Sequence, residues 1–239
     1  MATQLVPGKL VAVHDPQRGA AEGARLFADV LRRAVGARGT ATMAVSGGGT
    51  PLPTYAALAA TDVPWDRVKL FWVDERAVGP DHARSNTRAV REAFGPTPFL
   101  GVFPMDGTRD PAASAAAYAE LLAQEIPGTP PAFDLVVLGI GDDGHTASLF
   151  PGDPAVNDME SVVLGIPATD TREARVTLGR AVLAEARNVY VVAYGGSKNP
   201  ALERAWALHG DAFDCPARIT RGFKGRLSWL VDRAAGGIG

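Results

Sequence analysis

From one end of the chain to the other, short runs rich in β-branched residues alternate with alanine-rich stretches of helical character. "LVAVH" (10–14) precedes "GAAEGARLFADVLRRAVG", and "TMAVS" (42–46) precedes "PLPTYAALAA". "VKLFWV" (68–73) precedes a polar loop and "SNTRAVREAF"; "DPAASAAAYAELLAQEI" leads into "FDLVVLGI"; "NVYVVAY" (188–194) precedes "NPALERAWALH". Strict alternation of strand and helix patterns predicts an α/β fold, Rossmann-like, with a mainly parallel sheet flanked by helices on both faces. There is no internal repeat and no low-complexity linker, and the Pro/Gly clusters at 127–131 and 151–154 are as short as ordinary loops. A single domain over 1–239 is the economical expectation.

Composition narrows the function classes. With 46% hydrophobic residues in 239, the chain has ample material for a core. Its 24 basic and 26 acidic residues leave a net charge of -2 with no basic run, which argues against a nucleic-acid partner. The start "MATQLVPGKLVAVHD" lacks a leader pattern, and no apolar run approaches the roughly 20 residues of a membrane span. The expectation is a soluble cytoplasmic protein without a membrane partner. The single cysteine, Cys215, has no internal disulfide partner and reads as a structural thiol in the turn-like "FDCPAR".

In an open parallel sheet, ligands bind outside the carboxyl ends of the strands. Four strand ends here deliver unusual polar clusters: "SGGGTP", "DERAVGPDHARSN", "GDDGH" and "GGSKNP". In the first, Ser46, Gly47, Gly48 and Gly49 expose backbone N–H groups, Thr50 is suited to cap the next helix, and Pro51 suits its first turn. Such a turn takes phosphate, although three glycines also fit a bare strand-to-helix turn. It is not a Walker loop, because the "GKS/GKT" lysine is missing. Lys198, at a second glycine-rich strand end, is placed to add a positive charge beside the same anion.

"GIGDDGH" carries Gly139, Gly141 and Gly144 in dinucleotide spacing, but "HTASLF" is stopped by "PGDP" after about one and a half turns, too short for that site. What remains is His145 as a proton-handling group, with Asp143 two residues before it as a carboxylate to hold its ring. Asp74 follows an apolar run and is placed to face the pocket. Glu75 with Arg76 also fits a surface ion pair. His82, Ser85, Asn86 and Arg88 read as loop contacts and helix capping. Arg175 begins a strand-like run and fits either a phosphate ligand or a solvated edge charge. No G-x-S-x-G elbow is present, and the histidines at 14, 82, 145 and 209 form no ligand pattern, so neither a metal nor another cofactor is expected.

Taken together and in order, "SGGGTP", "FWVDERAV...DHARSN", "FDLVVLGIGDDGHTASLFPG", "ARVTLG" and "GGSKNPAL" resemble the 6-phosphogluconolactonase family over most of the chain. The resemblance implies hydrolysis of 6-phosphoglucono-1,5-lactone to 6-phosphogluconate, the second step of the oxidative pentose phosphate pathway, without a metal or nucleotide. It places the catalytic histidine at His145 and the phosphate contacts at Ser46 to Thr50, Arg175 and Lys198. The partner is then a small sugar-phosphate lactone, acted on by a monomer or weak homo-oligomer. In the implied mechanism His145 takes a proton from water, Asp143 or Asp74 orients its ring, and glycine-turn N–H groups or Arg76 meet the oxyanion. Two alternatives stay open. The related glucosamine-6-phosphate isomerases/deaminases share these elements but carry a glutamate shortly after the histidine, where this chain has Leu149 and Phe150. A non-catalytic sugar-phosphate-binding protein would use the same pocket with an idle histidine.

Overall fold

The computed structural model describes residues 6–238. In chain order its elements are β1 (Lys9–Val13), α1 (Pro16–Arg38), β2 (Ala41–Val45), α2 (Leu52–Ala59), β3 (Val68–Trp72), β4 (Asp74–Arg76), α3 (Asn86–Phe94), β5 (Gly101–Phe103) and α4 (Pro111–Glu125). There follow β6 (Leu135–Gly139), β7 (Val163–Ile166), β8 (Arg175–Leu178), α5 (Arg180–Glu185), β9 (Asn188–Ala193), α6 (Asn199–Trp206), β10 (Arg226–Asp232) and α7 (Arg233–Gly236). Seven strands form one parallel sheet in the order β1-β10-β9-β6-β2-β3-β5.

The central strands β2, β6 and β9 are buried almost throughout. That explains their sequences: a parallel strand covered on both faces reads as an unbroken apolar run. The helices that cover the sheet start and stop on local signals. Asp15 caps α1 by accepting the Arg18 N–H at 2.8 Å, Pro16 opens it, and Gly39 closes it at φ 80°. Gly19 and Gly23 let α1 lie close to its neighbours, because a Cβ at either would run into Tyr194 or Thr54.

β2 is followed in space by β3 and β5 on one side, whereas β6 is followed by β9 and β10 on the other. The connections therefore diverge where the carboxyl ends of β2 and β6 lie side by side, which is the topological switch point at which open sheets take ligands. At the opposite end of β6, Asp134 is buried; it accepts the Thr42 N–H at 2.9 Å and is paired with Arg38 and, at 3.3 Å, Arg187.

The alternating pattern carries the large sheet but not three of its features. The short edge strand β5 and the strand β10 have no counterpart among the sequence runs. A second, antiparallel sheet of order β4-β8-β7 stands beside the first. Its strands are three or four residues long and partly polar. The chain leaves β3 at Val73 and enters β4 at once, so this sheet brings its own side chains to the same rim. No helix among the described residues is long and apolar enough to cross a membrane.

Candidate active site

A cleft of about 280 Å³ opens at the switch point. It is lined by the 46–51 turn after β2, by Asp74 and Arg76 of β4 with Asn86 of α3, by the loop after β6, by Arg175 of β8 and by Lys198 after β9. Ten of the eleven residues expected to act in catalysis or substrate binding thus share one cavity: Ser46, Gly47, Gly48, Gly49, Thr50, Asp74, Arg76, His145, Arg175 and Lys198. Asp143 does not line it but touches a residue that does.

The loop after β6 is built around the histidine. Gly141 donates its N–H to the His145 carbonyl at 2.8 Å, and Gly144 bonds back to Gly141 at 2.9 Å with φ 92°. A Cβ on Gly141 would collide with the His145 ring and the Asp143 carboxylate, so the turn requires glycine. Inside it, His145 Nδ1 lies 2.7 Å from Asp143 Oδ1, which also accepts the His145 backbone N–H at 3.0 Å. The side-chain bond to His145, reinforced by that backbone bond, holds the Asp143 carboxyl down at about 2. An ionised carboxylate at Nδ1 fixes the ring proton there and leaves Nε2 of the neutral imidazole as an acceptor. Of the two carboxylates expected to orient the ring, Asp143 is the one in contact. The neighbouring Asp142 instead takes Lys198 Nζ at 2.7 Å, so the two adjacent aspartates hold two different bases.

Asp74 is buried and engaged elsewhere. Its Oδ2 accepts the Ser148 hydroxyl at 2.7 Å, and its Oδ1 faces Asn86 Nδ2 at 3.3 Å. Ala147, beside Ser148 in the cleft wall, is the one non-glycine residue at positive φ, 52°, among the described residues. Backbone strain of that kind costs energy and gathers where a site dictates geometry.

Two expectations from the sequence need correction. Glu75 is not a surface acid paired with Arg76; it is buried and accepts the backbone N–H groups of Arg76, Asn86 and Thr87 and the Ser85 hydroxyl, all within 2.9 Å. It seats the N-terminus of α3, where a carboxylate is favoured by the unpaired N–H groups and the helix dipole. Thr50 does not cap α2: Pro51 occupies the cap position without a side-chain bond, and Thr50 lines the cleft instead. Ser85 does cap α3, accepting the Arg88 N–H at 3.2 Å.

Two arginines from β4 and β8 also line the cleft. Arg76 and Arg175 are direct cross-strand partners in the β4–β8 pair. Like charges facing each other across a ladder are destabilising, and the Nε atoms of both are buried without a hydrogen-bond partner. Burial, partly offset by Asp74, pushes the Arg175 guanidinium below its usual value. Ser46 Oγ and Asn86 Oδ1 are also buried and unpartnered. A Cβ on Gly47 would run into the Asn86 amide, so that glycine admits Asn86 to the site. Asn86, read in the sequence as a loop contact or helix-capping residue, and Ser148, which carries no sequence signal, both belong to the cleft on this geometry.

These features define an open α/β protein with a polar, arginine-lined cleft at the carboxyl edge of its sheet. The profile of the family described as glucosamine-6-phosphate isomerases/6-phosphogluconolactonase matches residues 14–229. A 6-phosphogluconolactonase of Synechocystis sp. is 39% identical over 213 residues, covering 86% of this chain and 88% of that one. A 6-phosphogluconolactonase of Rattus norvegicus is 34% identical over 240 residues, covering 96% and 93%. Among solved structures, the 6-phosphogluconolactonase from Trypanosoma brucei superposes with a TM-score of 0.84 at 30% identity, covering 96% of this chain and 98% of that one. The chain belongs to the 6-phosphogluconolactonase family.

Proposed function

We propose that this protein hydrolyses 6-phosphoglucono-1,5-lactone to 6-phosphogluconate, with His145 as general base. The observation that carries the reading is His145, held by Asp143, in the same cleft as the cross-strand arginines Arg76 and Arg175. Hydrolysis of a lactone carrying a phosphate needs a proton-handling group and positive charge in one cleft.

The steps follow from the substrate. The phosphate rests on Arg175, Lys198 and the N–H groups of the 46–50 turn, and this remote binding fixes the lactone carbonyl beside His145. His145 Nε2 takes a proton from a water as its oxygen bonds to the carbonyl carbon; Asp143 stabilises the imidazolium that results. The tetrahedral oxyanion is met by Arg76, whose Nε has no partner in the free protein. Collapse reforms the carbonyl and breaks the bond to the ring oxygen, which leaves with the proton from the imidazolium. The products are a carboxylic acid, ionised at neutral pH, and a free hydroxyl, and the imidazole is neutral again.

Because the lactone also opens spontaneously, the test is hydrolysis above the buffer blank by chelator-treated protein. A large excess rate is expected. No excess rate removes the enzyme reading, and ammonia release from glucosamine 6-phosphate at a comparable kcat/KM would put the deaminase in its place. Leu149 and Phe150, where those deaminases have a carboxylate, weigh against that outcome, since an apolar side chain relays no proton.

A further inference from the structure

His145 has a second contact, and behind that contact stands a residue that the mechanism above does not use. The His145 ring lies 4.8 Å from the Phe150 ring, tilted by 38°. Arg172 places its guanidinium carbon 3.8 Å from the centroid of the same Phe150 ring, within cation–π range. Arg172 is not in the cleft wall. It sits in the β7–β8 hairpin, where the Thr169 N–H bonds to its carbonyl at 2.8 Å. Its own anchor is Asp153: one Asp153 oxygen lies 3.3 Å from Arg172 Nη2, and the other accepts the Ala155 N–H at 3.0 Å. The Arg172 side chain is only 15% exposed.

From this stack we infer that Arg172 is a positioning residue that acts through Phe150 to hold the imidazole of His145 in its working orientation. The need for it comes from Asp143, whose side chain is 52% exposed. A ring hinged on one hydrogen bond to a half-solvated carboxylate retains freedom to swing about that bond. A second contact on the ring removes that freedom, provided Phe150 itself cannot yield. The guanidinium lying against Phe150, paired with Asp153, supplies that restraint. Other charges share the cleft, namely Asp74, Arg76, Arg175 and the Lys198–Asp142 pair. Of these only Arg175 approaches the Phe150 ring, at 6.0 Å. The inference rests on the assignment of His145 as base.

The test compares Arg172→Met, which keeps bulk but loses the charge, with Arg172→Lys, which keeps a cation, and with Phe150→Leu. In each, kcat and KM for the lactone are measured together with the proton resonance of His145 Cε1, which the Phe150 ring current displaces. Arg172→Met is expected to lower kcat about 3- to 10-fold at unchanged KM, the size of one cation–π contact, and to move the His145 resonance. Arg172→Lys should recover most of both, and Arg172→Met should add little to Phe150→Leu. Wild-type kcat in Arg172→Met, a rise in KM without a fall in kcat, or an unmoved His145 resonance overturns the inference. Should Arg172→Met fail to fold, full kcat in Phe150→Leu overturns it equally. Retention of turnover by His145→Ala would instead remove the base assignment, while the resonance still reports whether the stack exists.

Discussion

The two ends of the parallel sheet handle buried carboxylates in opposite ways. At the amino end, Asp134 is matched by Arg38, Arg187 and both polar groups of Thr42, so its donors and acceptors are spent within the protein. At the carboxyl end, Asp74 has only Ser148 and Asn86. Around it Ser46 Oγ, Asn86 Oδ1 and the Nε atoms of Arg76 and Arg175 have no partner. Unpaired buried polar groups cost about 1–3 kcal/mol each when nothing satisfies them. A buried polar atom without a partner occurs at the amino end too, at Trp65 Nε1, but at the carboxyl end the four belong to residues lining one cleft. The difference teaches that polarity at the amino end is spent on internal pairing, whereas polarity at the carboxyl end is left unpaired around the cleft, as the proposed ligand requires.

The largest expected effect sharpens this contrast from the open end. His145→Ala should lower kcat on the lactone by about 10²- to 10⁴-fold and leave the thermal unfolding midpoint close to that of the wild type, as measured by calorimetry. A folded variant with near wild-type turnover would take His145 out of the chemistry.

The closed end should respond the other way. Asp134→Ala leaves Arg38 and Arg187 without their common partner, and both are nearly half exposed, so solvent relieves part of the loss. The expected cost is about 2–3 kcal/mol, read as a fall in midpoint of about 5–10 °C, with KM for the lactone unchanged. Loss of substrate affinity without loss of stability would erase the distinction between the two ends.

A smaller effect concerns Asp143. Its folded carboxyl is held at about 2, chiefly by His145, below the unfolded value of about 4. Its contribution to stability is therefore fully present above about pH 4 and is lost as pH falls from there through about 2. Solvent exposure keeps that contribution small. Asp143→Asn should flatten the acid side of the stability curve within that window and nowhere else. Because Asp143 stays ionised above the window, its own titration accounts for no change in lactonase rate there.

How much of this was legible in the sequence follows the same division. The buried parallel strands announced themselves, because "TMAV", "LVVLG" and "VYVVA" are apolar on both faces. The glycine turns and the "DDGH" loop were legible because only glycine permits their backbone geometry. Of the small antiparallel sheet only β8 was legible, as the strand-like run that Arg175 begins; β4 and β7 were not, since three or four residues are too few to show a period, and "DER" reads as a charged loop. Glu75 was misread because its partners are backbone N–H groups 11 and 12 residues on, which leave no trace in the sequence. Arg172 was invisible for a related reason: its partner Phe150 lies 22 residues away, and only the β7–β8 hairpin brings the two together.

The central claim is that the unpartnered groups of the carboxyl end form a built site for a phosphorylated sugar. Titration calorimetry of the product pair tests it most directly, with 6-phosphogluconate and gluconate each titrated into wild type and Arg175→Ala. The account predicts that the wild type strongly prefers the phosphorylated ligand and that Arg175→Ala loses most of that preference, by about tenfold or more, as removal of a charge-assisted bond worth about 1.5–3 kcal/mol requires. Equal weakening of both ligands, or an undiminished preference in the variant, would contradict it.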